Sequence, residues 1–216
     1  RPDLFEPGRT WRRAGADQRA YGWTRPLWLD RVAAEHRAVR ERVGLIDLSS
    51  FGKILVEGPD ALALLERVAA GRMDRPVGAV TYNQFLDGRA GIVADVTVTR
   101  LATDAFRVVT GAGYVAGDLG WLRLHQADGE DVTLIDESDA IACFGLWGPA
   151  ARAVLAGASR DDVSDAAIPL RRAARIEIGG ASVLAQRISY AGELGWELYA
   201  DRSRAINAWD RLVEAG

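Results

Sequence analysis

One short pattern occurs twice in this chain, ninety residues apart, and it constrains the fold more than any other feature of the sequence. A strand-forming run ends at Gly58-Pro59 and a helical run follows it, and the same order recurs at Gly148-Pro149. Proline suits the first turn of a helix, where the backbone amide groups lack partners. Gly-Pro turns are common, so the pattern is weak evidence of duplication by itself, but it predicts two related strand–turn–helix units.

Hairpin signals lie between and after these two units. Asp87-Gly88 and Gly179-Gly180 each separate two strand-forming runs, which is typical of a tight antiparallel turn. The predicted helices cover residues 28–43, 61–70, 118–126, 150–155 and 203–214, and the predicted strands cover residues 52–57, 82–86, 91–94, 95–101, 106–110, 132–135, 141–147, 175–178, 181–187 and 196–200. Strands joined by hairpins and interleaved with short helices predict an α+β fold, with helices packed on antiparallel sheets.

Composition excludes several classes of function. The chain has 216 residues, with 27 Lys and Arg against 30 Asp and Glu, so it lacks the basic surface that nucleic acid binding requires. One cysteine, Cys143, and two histidines leave no internal disulfide and little material for a metal site, and we predict none. No Gly-x-Gly-x-x-Gly follows a predicted strand, and the single lysine, Lys53, is not part of a phosphate-binding loop. A doubly wound parallel sheet is therefore disfavoured.

The ends of the sequence suggest a piece of a longer protein, because it does not begin with methionine and its one methionine is Met73. No apolar run approaches the roughly 20 residues of a membrane span. No charged-then-apolar leader opens the chain. We expect a cytoplasmic protein with neither membrane nor nucleic acid as a partner.

Two places hold candidate chemistry. Asp95 begins an alternating strand and shares its face with Thr97 and Thr99, and an ordinary solvated strand carboxylate is the plainer interpretation of it. The second place is residues 187–199, which concentrate two carboxylates and two tyrosines around a short loop with two glycines. Glycines allow a backbone to approach a ligand closely. A surface hairpin with ordinary polar residues is the alternative interpretation of that segment.

Several segments, in chain order, carry a family resemblance: residues 43–53 (VGLIDLSSFGK), 58–61 (GPDA), 82–84 (YNQ) with Asp95, and 190–197 (YAGELGWE). They resemble the folate-binding aminomethyltransferase family of the glycine-cleavage T-protein, across nearly the whole chain. Residues 22–28 (GWTRPLW) are most similar to the C-terminal half of dimethylglycine oxidases, dimethylglycine dehydrogenases and sarcosine dehydrogenases. In those enzymes a flavin domain oxidises an N-methyl amine, and the T-protein-like half captures the one-carbon unit on tetrahydrofolate.

The resemblance implies a role for five side chains. Asp95 matches an aspartate beside the reactive nitrogens of tetrahydrofolate, where a carboxylate can act as a base or stabilise a cationic carbon. Tyr82 and Tyr190 match two walls of the folate cavity. Glu197 matches the acid that pairs with the pterin ring, which offers parallel hydrogen bonds to a carboxylate. Glu193 is expected to support the site from the loop.

The resemblance also implies a domain layout. Residues 1–51 and 139–216 would form a first, discontinuous α+β domain, and residues 52–138 would form a second domain inserted into it. A C-terminal barrel domain of the family would lie beyond residue 216 and is absent from the chain. FAD would belong only to a missing upstream domain, covalently linked in the full-length protein.

The implied activity is transfer of a one-carbon unit from an oxidised N-methyl amine, of the dimethylglycine or sarcosine type, to form methylenetetrahydrofolate. The folate and an amine-derived iminium are the expected small-molecule partners. One alternative is a folate-binding or regulatory module without catalysis. Relatives of that kind carry Lys-Gly-Cys-Tyr where this chain has Arg187-Ile188-Ser189-Tyr190. Another alternative is a folate-dependent demethylase acting on an oxygen- or sulfur-linked methyl group.

Overall fold

The computed structural model describes residues 26, 28–190 and 192–216. The helices are α1 (Leu29–Glu41), α2 (Ala61–Val68), α3 (Val115–His125), α4 (Ala151–Ala158) and α5 (Arg202–Ala215). The strands are β1 (Gly44–Asp47), β2 (Gly52–Glu57), β3 (Val80–Leu86), β4 (Ile92–Ala102), β5 (Ala105–Thr110), β6 (Thr133–Asp136), β7 (Ile141–Trp147), β8 (Ala173–Ile178), β9 (Ala181–Gln186) and β10 (Gly195–Asp201).

The strands form two five-stranded antiparallel sheets, so the predicted α+β class is confirmed. Sheet 1 has the order β3-β4-β5-β2-β6, and sheet 2 has the order β8-β9-β10-β7-β1. One face of sheet 1 packs on α2 and α3, and one face of sheet 2 packs on α4 and α5. A third, smaller cluster lies between the sheets and includes Val109, Cys143, Leu184 and Tyr199. No closed barrel occurs within the described residues.

Two details of the predicted elements are wrong. The runs predicted as strands 91–94 and 95–101 are the single strand β4, because the turn at Asp87–Gly91 ends before it. The first helix ends at Glu41, which leaves room for β1, a strand that the sequence analysis missed. The opening segment 22–28, which carried part of the family resemblance, lies almost wholly outside the described residues.

The two Gly-Pro turns have the same backbone geometry. Gly58 has φ +132° and Gly148 has φ +131°, a region that glycine alone adopts without strain. A Cβ atom at Gly58 would lie 2.2 Å from the Asp131 carbonyl oxygen, and one at Gly148 would lie 2.5 Å from the Arg42 carbonyl oxygen. Each turn then leads into an eight-residue helix. The structure therefore contains the two related strand–turn–helix units that the sequence predicts.

This correspondence extends to two complete repeats. The first repeat runs β1-β2-α2-β3-β4-β5-α3, and the second runs β6-β7-α4-β8-β9-β10-α5, with each element matching in order. The repeats exchange their first strands, since β1 pairs with β7 of the second repeat and β6 pairs with β2 of the first. The segments that follow β1 and β6 make equivalent contacts. Ser49 Oγ accepts a hydrogen bond from Cys143 N at 3.1 Å, and Ser138 Oγ accepts one from Lys53 N at 3.1 Å.

Candidate functional site

A cavity of about 720 Å³ opens where the two sheets meet, and both sheets line it. The edge of sheet 1 at β3 is joined to the segment before β8 by two short backbone hydrogen bonds. Val80 N donates to Arg171 O at 2.9 Å, and Ala173 N donates to Gly78 O at 2.7 Å. A concave site shared by two packed units is a common position for a small-molecule ligand.

Four of the five predicted site residues line this one cavity. Tyr82 lies on β3 and Asp95 on β4, which belong to sheet 1, whereas Glu197 lies on β10 of sheet 2. Tyr190 comes from the loop between β9 and β10. Residues more than one hundred positions apart are therefore brought to one site by the meeting of the sheets.

Glu193, the fifth predicted residue, does not line this cavity. Its carboxylate forms an ion pair with the Arg40 guanidinium of α1, on a separate groove between α1 and β1. The contact connects the β9–β10 loop to the first helix. A direct contact of Glu193 with a ligand in the cavity is not supported by this placement.

Alternation along β3 and β4 selects which side chains face the cavity. Asn83 and Phe85 of β3 are buried, so Tyr82 and Gln84 point to the opposite face. Gln84 is the register partner of Asp95, and Gln84 Nε2 donates to Asp95 Oδ1 at 3.1 Å. The neighbouring Asp95 carboxylate raises the pKa of the Tyr82 hydroxyl above its usual value. Gln84, whose site role the sequence analysis missed, thus holds the aspartate in place.

Glu197 has a different environment from Asp95. The Tyr199 hydroxyl donates to Glu197 Oε2 at 2.7 Å, and burial raises the pKa of the Glu197 carboxyl above its usual value. Within the described part of the chain, Glu197 Oε1 has no hydrogen-bond partner. That oxygen is available to accept from a ligand in the cavity.

Two further polar side chains, on β9 and on the loop that follows it, have unsatisfied atoms. Ser189 Oγ is buried in the cavity wall and has no partner among the described residues. Gln186, the register partner of Glu197, is fully buried, and both of its amide atoms also lack a described partner. Buried polar atoms are nearly always hydrogen-bonded in native proteins. Ser189 Oγ, in the same cavity lining as Glu197, therefore fits a ligand that carries several polar groups.

The mouth of the cavity is aromatic. Tyr82 is 60% exposed and Tyr190 is 98% exposed, which is unusual for large rings beside a pocket. Aromatic side chains of this kind present flat faces to a planar ligand and a hydroxyl to its polar edge. The cavity thus combines carboxylates, orphaned polar atoms and exposed rings.

Metal and membrane sites receive no support from the described residues. No group of three or more His, Cys, Asp and Glu side chains there could hold a metal ion. No helix in the same part of the chain is long and apolar enough to span a bilayer. The one cysteine, Cys143, is buried between the sheets, and burial raises the pKa of its thiol far above the usual value, so it is a poor nucleophile.

Comparison with known proteins gives three relatives that share most of this chain. This chain is 40% identical over 196 residues to 4-methylaminobutanoate oxidase (formaldehyde-forming) of Paenarthrobacter nicotinovorans. The match covers 91% of the chain and 24% of that protein. Mitochondrial dimethylglycine dehydrogenase of Mus musculus is 35% identical, with 89% and 22% covered. Aminomethyltransferase of Halothermothrix orenii is 34% identical, with 91% and 54% covered. The chain thus spans about a quarter of the first two relatives and about half of the third.

Solved structures and a family model agree with these relatives. Aminomethyltransferase T of the glycine cleavage system from Bartonella henselae superposes with a TM-score of 0.73 at 29% identity, covering 84% of this chain and 48% of that one. A chain of heterotetrameric sarcosine oxidase from Corynebacterium sp. U-96 shares the fold, with a TM-score of 0.65 at 22% identity, covering 87% and 92%. The sequence model of the GCVT N-terminal domain family matches residues 9–216 of this chain. The resemblance stated from the sequence is confirmed, and the chain belongs to the GCVT N-terminal domain family.

Proposed function

We propose that the cavity binds tetrahydrofolate and that the chain is an aminomethyltransferase module. It would capture a one-carbon unit from an oxidised N-methyl amine, of the dimethylglycine or sarcosine type, to form methylenetetrahydrofolate. The observation that carries this proposal is the meeting of Asp95, Glu197 and two exposed tyrosines at one cavity between the sheets. Membership of the family and the names of the relatives support the same reading.

The binding step uses the polar groups of sheet 2 and the rings at the mouth. Glu197 Oε1 has no described partner, and a carboxylate can accept two parallel N–H bonds from an aminopyrimidinone edge. Ser189 Oγ provides one further hydrogen-bonding group in the wall. Tyr82 and Tyr190 present rings on which a bicyclic pterin can stack.

One nitrogen of tetrahydrofolate adds to the iminium carbon, and the second nitrogen then displaces the demethylated amine, which leaves with one proton as the methylene bridge closes. Asp95 accepts the proton that a nitrogen loses, and its negative charge favours a cationic carbon beside it. Gln84 keeps the carboxylate oriented by donating to Oδ1. Because iminium carbons are intrinsically reactive, we assign most of the acceleration to positioning within the cavity.

FAD does not fit the described part of this chain. A dinucleotide is bound at the carboxyl ends of parallel strands, beside a glycine-rich loop. Both sheets here are entirely antiparallel. We therefore place the amine oxidation in a separate flavin domain of a longer protein, and the folate-dependent step in this chain.

Replacement of Asp95 by Asn tests the proposal. In the protein encoded by the complete gene, Asp95→Asn is expected to lower methylenetetrahydrofolate formation about 10²- to 10⁴-fold, as for loss of a general base. Amine oxidation and calorimetric binding of tetrahydrofolate are expected to persist. Asp128→Asn, at an exposed loop position, is the matched control. Unchanged product formation in Asp95→Asn would refute the assigned role, and absence of folate binding by the unmodified protein would refute the site.

A further inference from the structure

Arg171 occupies an exceptional backbone position at the mouth of the cavity. Its φ is +60°, a left-handed value that is unfavourable for any residue with a side chain. Its N–H donates to Arg187 O at 2.9 Å, and its carbonyl oxygen accepts from Val80 N at 2.9 Å. Arg187 directly follows β9 of sheet 2, and Val80 is the first residue of β3 in sheet 1. The backbone of Arg171 is therefore fixed from both sides in an unfavourable conformation.

The side chain of Arg171 is exposed and lines the cavity, yet it has no hydrogen bond or ion pair within the described residues. The other arginines close to the junction of the sheets are occupied. Arg172 donates to Val77 O at 2.9 Å, Arg100 pairs with Asp74, and Arg187 pairs with Asp165. Their guanidinium groups are held in the fold, whereas that of Arg171 is available.

The charged side chains that line the cavity are of both signs. Asp95 and Glu197 provide the negative groups, and neither lies within ion-pair distance of a described arginine. Arg171 provides the one positive group of the described lining. A ligand that matches this lining carries both hydrogen-bond donors and an anionic group. Guanidinium groups match carboxylates particularly well, because both are planar and can form two parallel hydrogen bonds.

We propose that Arg171 is a binding residue for a carboxylate carried by the ligand of this cavity. The inference rests on the proposed function, since it takes the ring of that ligand to be the pterin of tetrahydrofolate. Two sources could supply the carboxylate, namely the glutamate tail of the folate and the carboxylate of an N-methylated amino acid donor. Arg171 belongs to the cavity lining with a strained backbone, and strain of this kind persists where the surrounding structure fixes it.

Calorimetry with three probes tests the folate source. The probes are tetrahydrofolate, a tetrahydropterin without the benzoylglutamate group, and p-aminobenzoylglutamate, which has the tail without the pterin. Arg171→Gln is expected to weaken tetrahydrofolate binding about tenfold, as for loss of one charged hydrogen bond. The variant should bind the tetrahydropterin as tightly as the unmodified protein does. The tenfold difference in tetrahydrofolate affinity should shrink as the salt concentration is raised. Arg175→Gln, an exposed arginine of β8 outside the cavity lining, is the matched control.

Steady-state kinetics of the complete protein test the donor source. If the carboxylate comes from the donor, Arg171→Gln lowers kcat/KM for methylenetetrahydrofolate formation with an N-methylated amino acid. With an N-methyl amine that lacks a carboxylate, kcat/KM of Arg171→Gln is then equal to that of the unmodified protein. Equal behaviour of Arg171→Gln and the unmodified protein with every probe and both donors would overturn the inference.

Failure of the proposed function gives a different result. In that case the tetrahydropterin does not bind to the unmodified protein at all. If the unmodified protein still binds p-aminobenzoylglutamate and Arg171→Gln does not, the carboxylate site is supported. If the unmodified protein binds neither probe, both proposals are overturned. Arg171→Gly provides a folding check, since glycine relieves the positive φ; it should retain or raise the melting temperature while showing the same loss of affinity.

Discussion

At the scale of single residues, the two carboxylates of the cavity have distinct environments although they belong to the same site. Asp95 is exposed on a strand and is held by Gln84. Glu197 is half-buried, and burial raises its pKa. An exposed carboxylate can accept a proton from a ligand, and a partly desolvated one forms stronger hydrogen bonds with it. Environment thus separates two chemically similar groups into two roles.

Glu197→Gln is expected to change stability and affinity in opposite directions. The folded-state pKa of Glu197 lies above the unfolded value, so its contribution to stability is present at acidic pH and is lost as pH rises through the folded value. The amide of the Glu197→Gln variant does not ionise, so the variant does not lose this stability as pH rises. Its carbonyl oxygen can still accept a hydrogen bond from the Tyr199 hydroxyl. The variant should therefore have a higher free energy of unfolding at pH 7, with no difference at pH 4. Tetrahydrofolate binding should weaken about 10- to 100-fold.

Urea unfolding at both pH values and calorimetry measure these effects. Glu177→Gln, at an exposed position of β8, is the control for removal of one negative charge. A Glu197→Gln protein that binds folate as tightly as the unmodified protein would contradict the role given to Glu197.

The sequence could predict part of the site at this scale. The family resemblance implied Tyr82, Asp95, Tyr190 and Glu197 as site residues, and the structure brings all four to one cavity. The backbone strain and free guanidinium of Arg171 could not be found, because they depend on hydrogen bonds from two sheets that are distant in sequence.

At the scale of elements, β5 and α3 are joined by one buried polar contact. Thr110 Oγ1, at the end of β5, donates to Asp118 Oδ2 of α3 at 2.6 Å. Both residues are buried, and burial raises the pKa of Asp118. Because Thr110 also lines the cavity, the contact connects the helix packing of sheet 1 to the site.

Thr110→Val should leave the Asp118 carboxylate without its described partner. We expect a loss of about 1–3 kcal/mol in unfolding free energy at pH 7. The hydrogen bond lowers the pKa of Asp118, so its removal raises that pKa further and makes stability fall more steeply as pH rises through the folded value. Urea unfolding at pH 4.5 and pH 7 measures the slope, with the exposed Thr133→Val as control. A slope equal to that of the unmodified protein would show that Asp118 has another partner.

Gly148→Ala tests the close approach at the second Gly-Pro turn. The new Cβ atom would meet carbonyl oxygens of Arg42 and Val39 at 2.5 and 2.6 Å, and the residue would keep an unfavourable φ. We expect a loss of about 2–4 kcal/mol, by analogy with other strained backbone positions. Gly113→Ala, where a Cβ atom meets nothing within 4 Å, is the control. Thermal unfolding that is equal for the two variants would contradict this account.

Element boundaries were predictable where local chemistry decides them. The two Gly-Pro turns and the Gly179-Gly180 hairpin were located correctly from the sequence. The strand β1 was missed because its four residues continue the apolar pattern of the preceding helix, and only pairing with β7 makes it a strand.

At the scale of the whole molecule, two repeats are joined by exchanged strands. We propose that the two sheets correspond to the two domains expected from the sequence, which places 52–138 in one and the flanking segments in the other. Under that division, β1 and β6 each cross from their own repeat to the sheet of the other. Ser49 and Ser138 hold the equivalent crossings by accepting the Cys143 and Lys53 amides.

Ser49→Ala and Ser138→Ala should therefore have matched effects. Each removes the acceptor of one buried amide between the sheets, so we expect a loss of about 1 kcal/mol from each. Both variants should unfold in one transition, by tryptophan fluorescence and by circular dichroism alike, because each sheet contains a strand from the other repeat. A large loss in one variant with none in the other would show that the repeats are not energetically equivalent.

The exchange of first strands also has a consequence for synthesis of the chain on the ribosome. β1 leaves the ribosome before the other strands of sheet 2, and its partner β7 follows roughly one hundred residues later. At translation rates of about 5–20 residues per second, that interval is about 5–20 s. Sheet 1 can assemble from neighbouring segments during this time, whereas β1 remains without its pairing partner. Among the described strands, β1 thus stays longest without a pairing partner, and we expect chaperones to bind the nascent chain there.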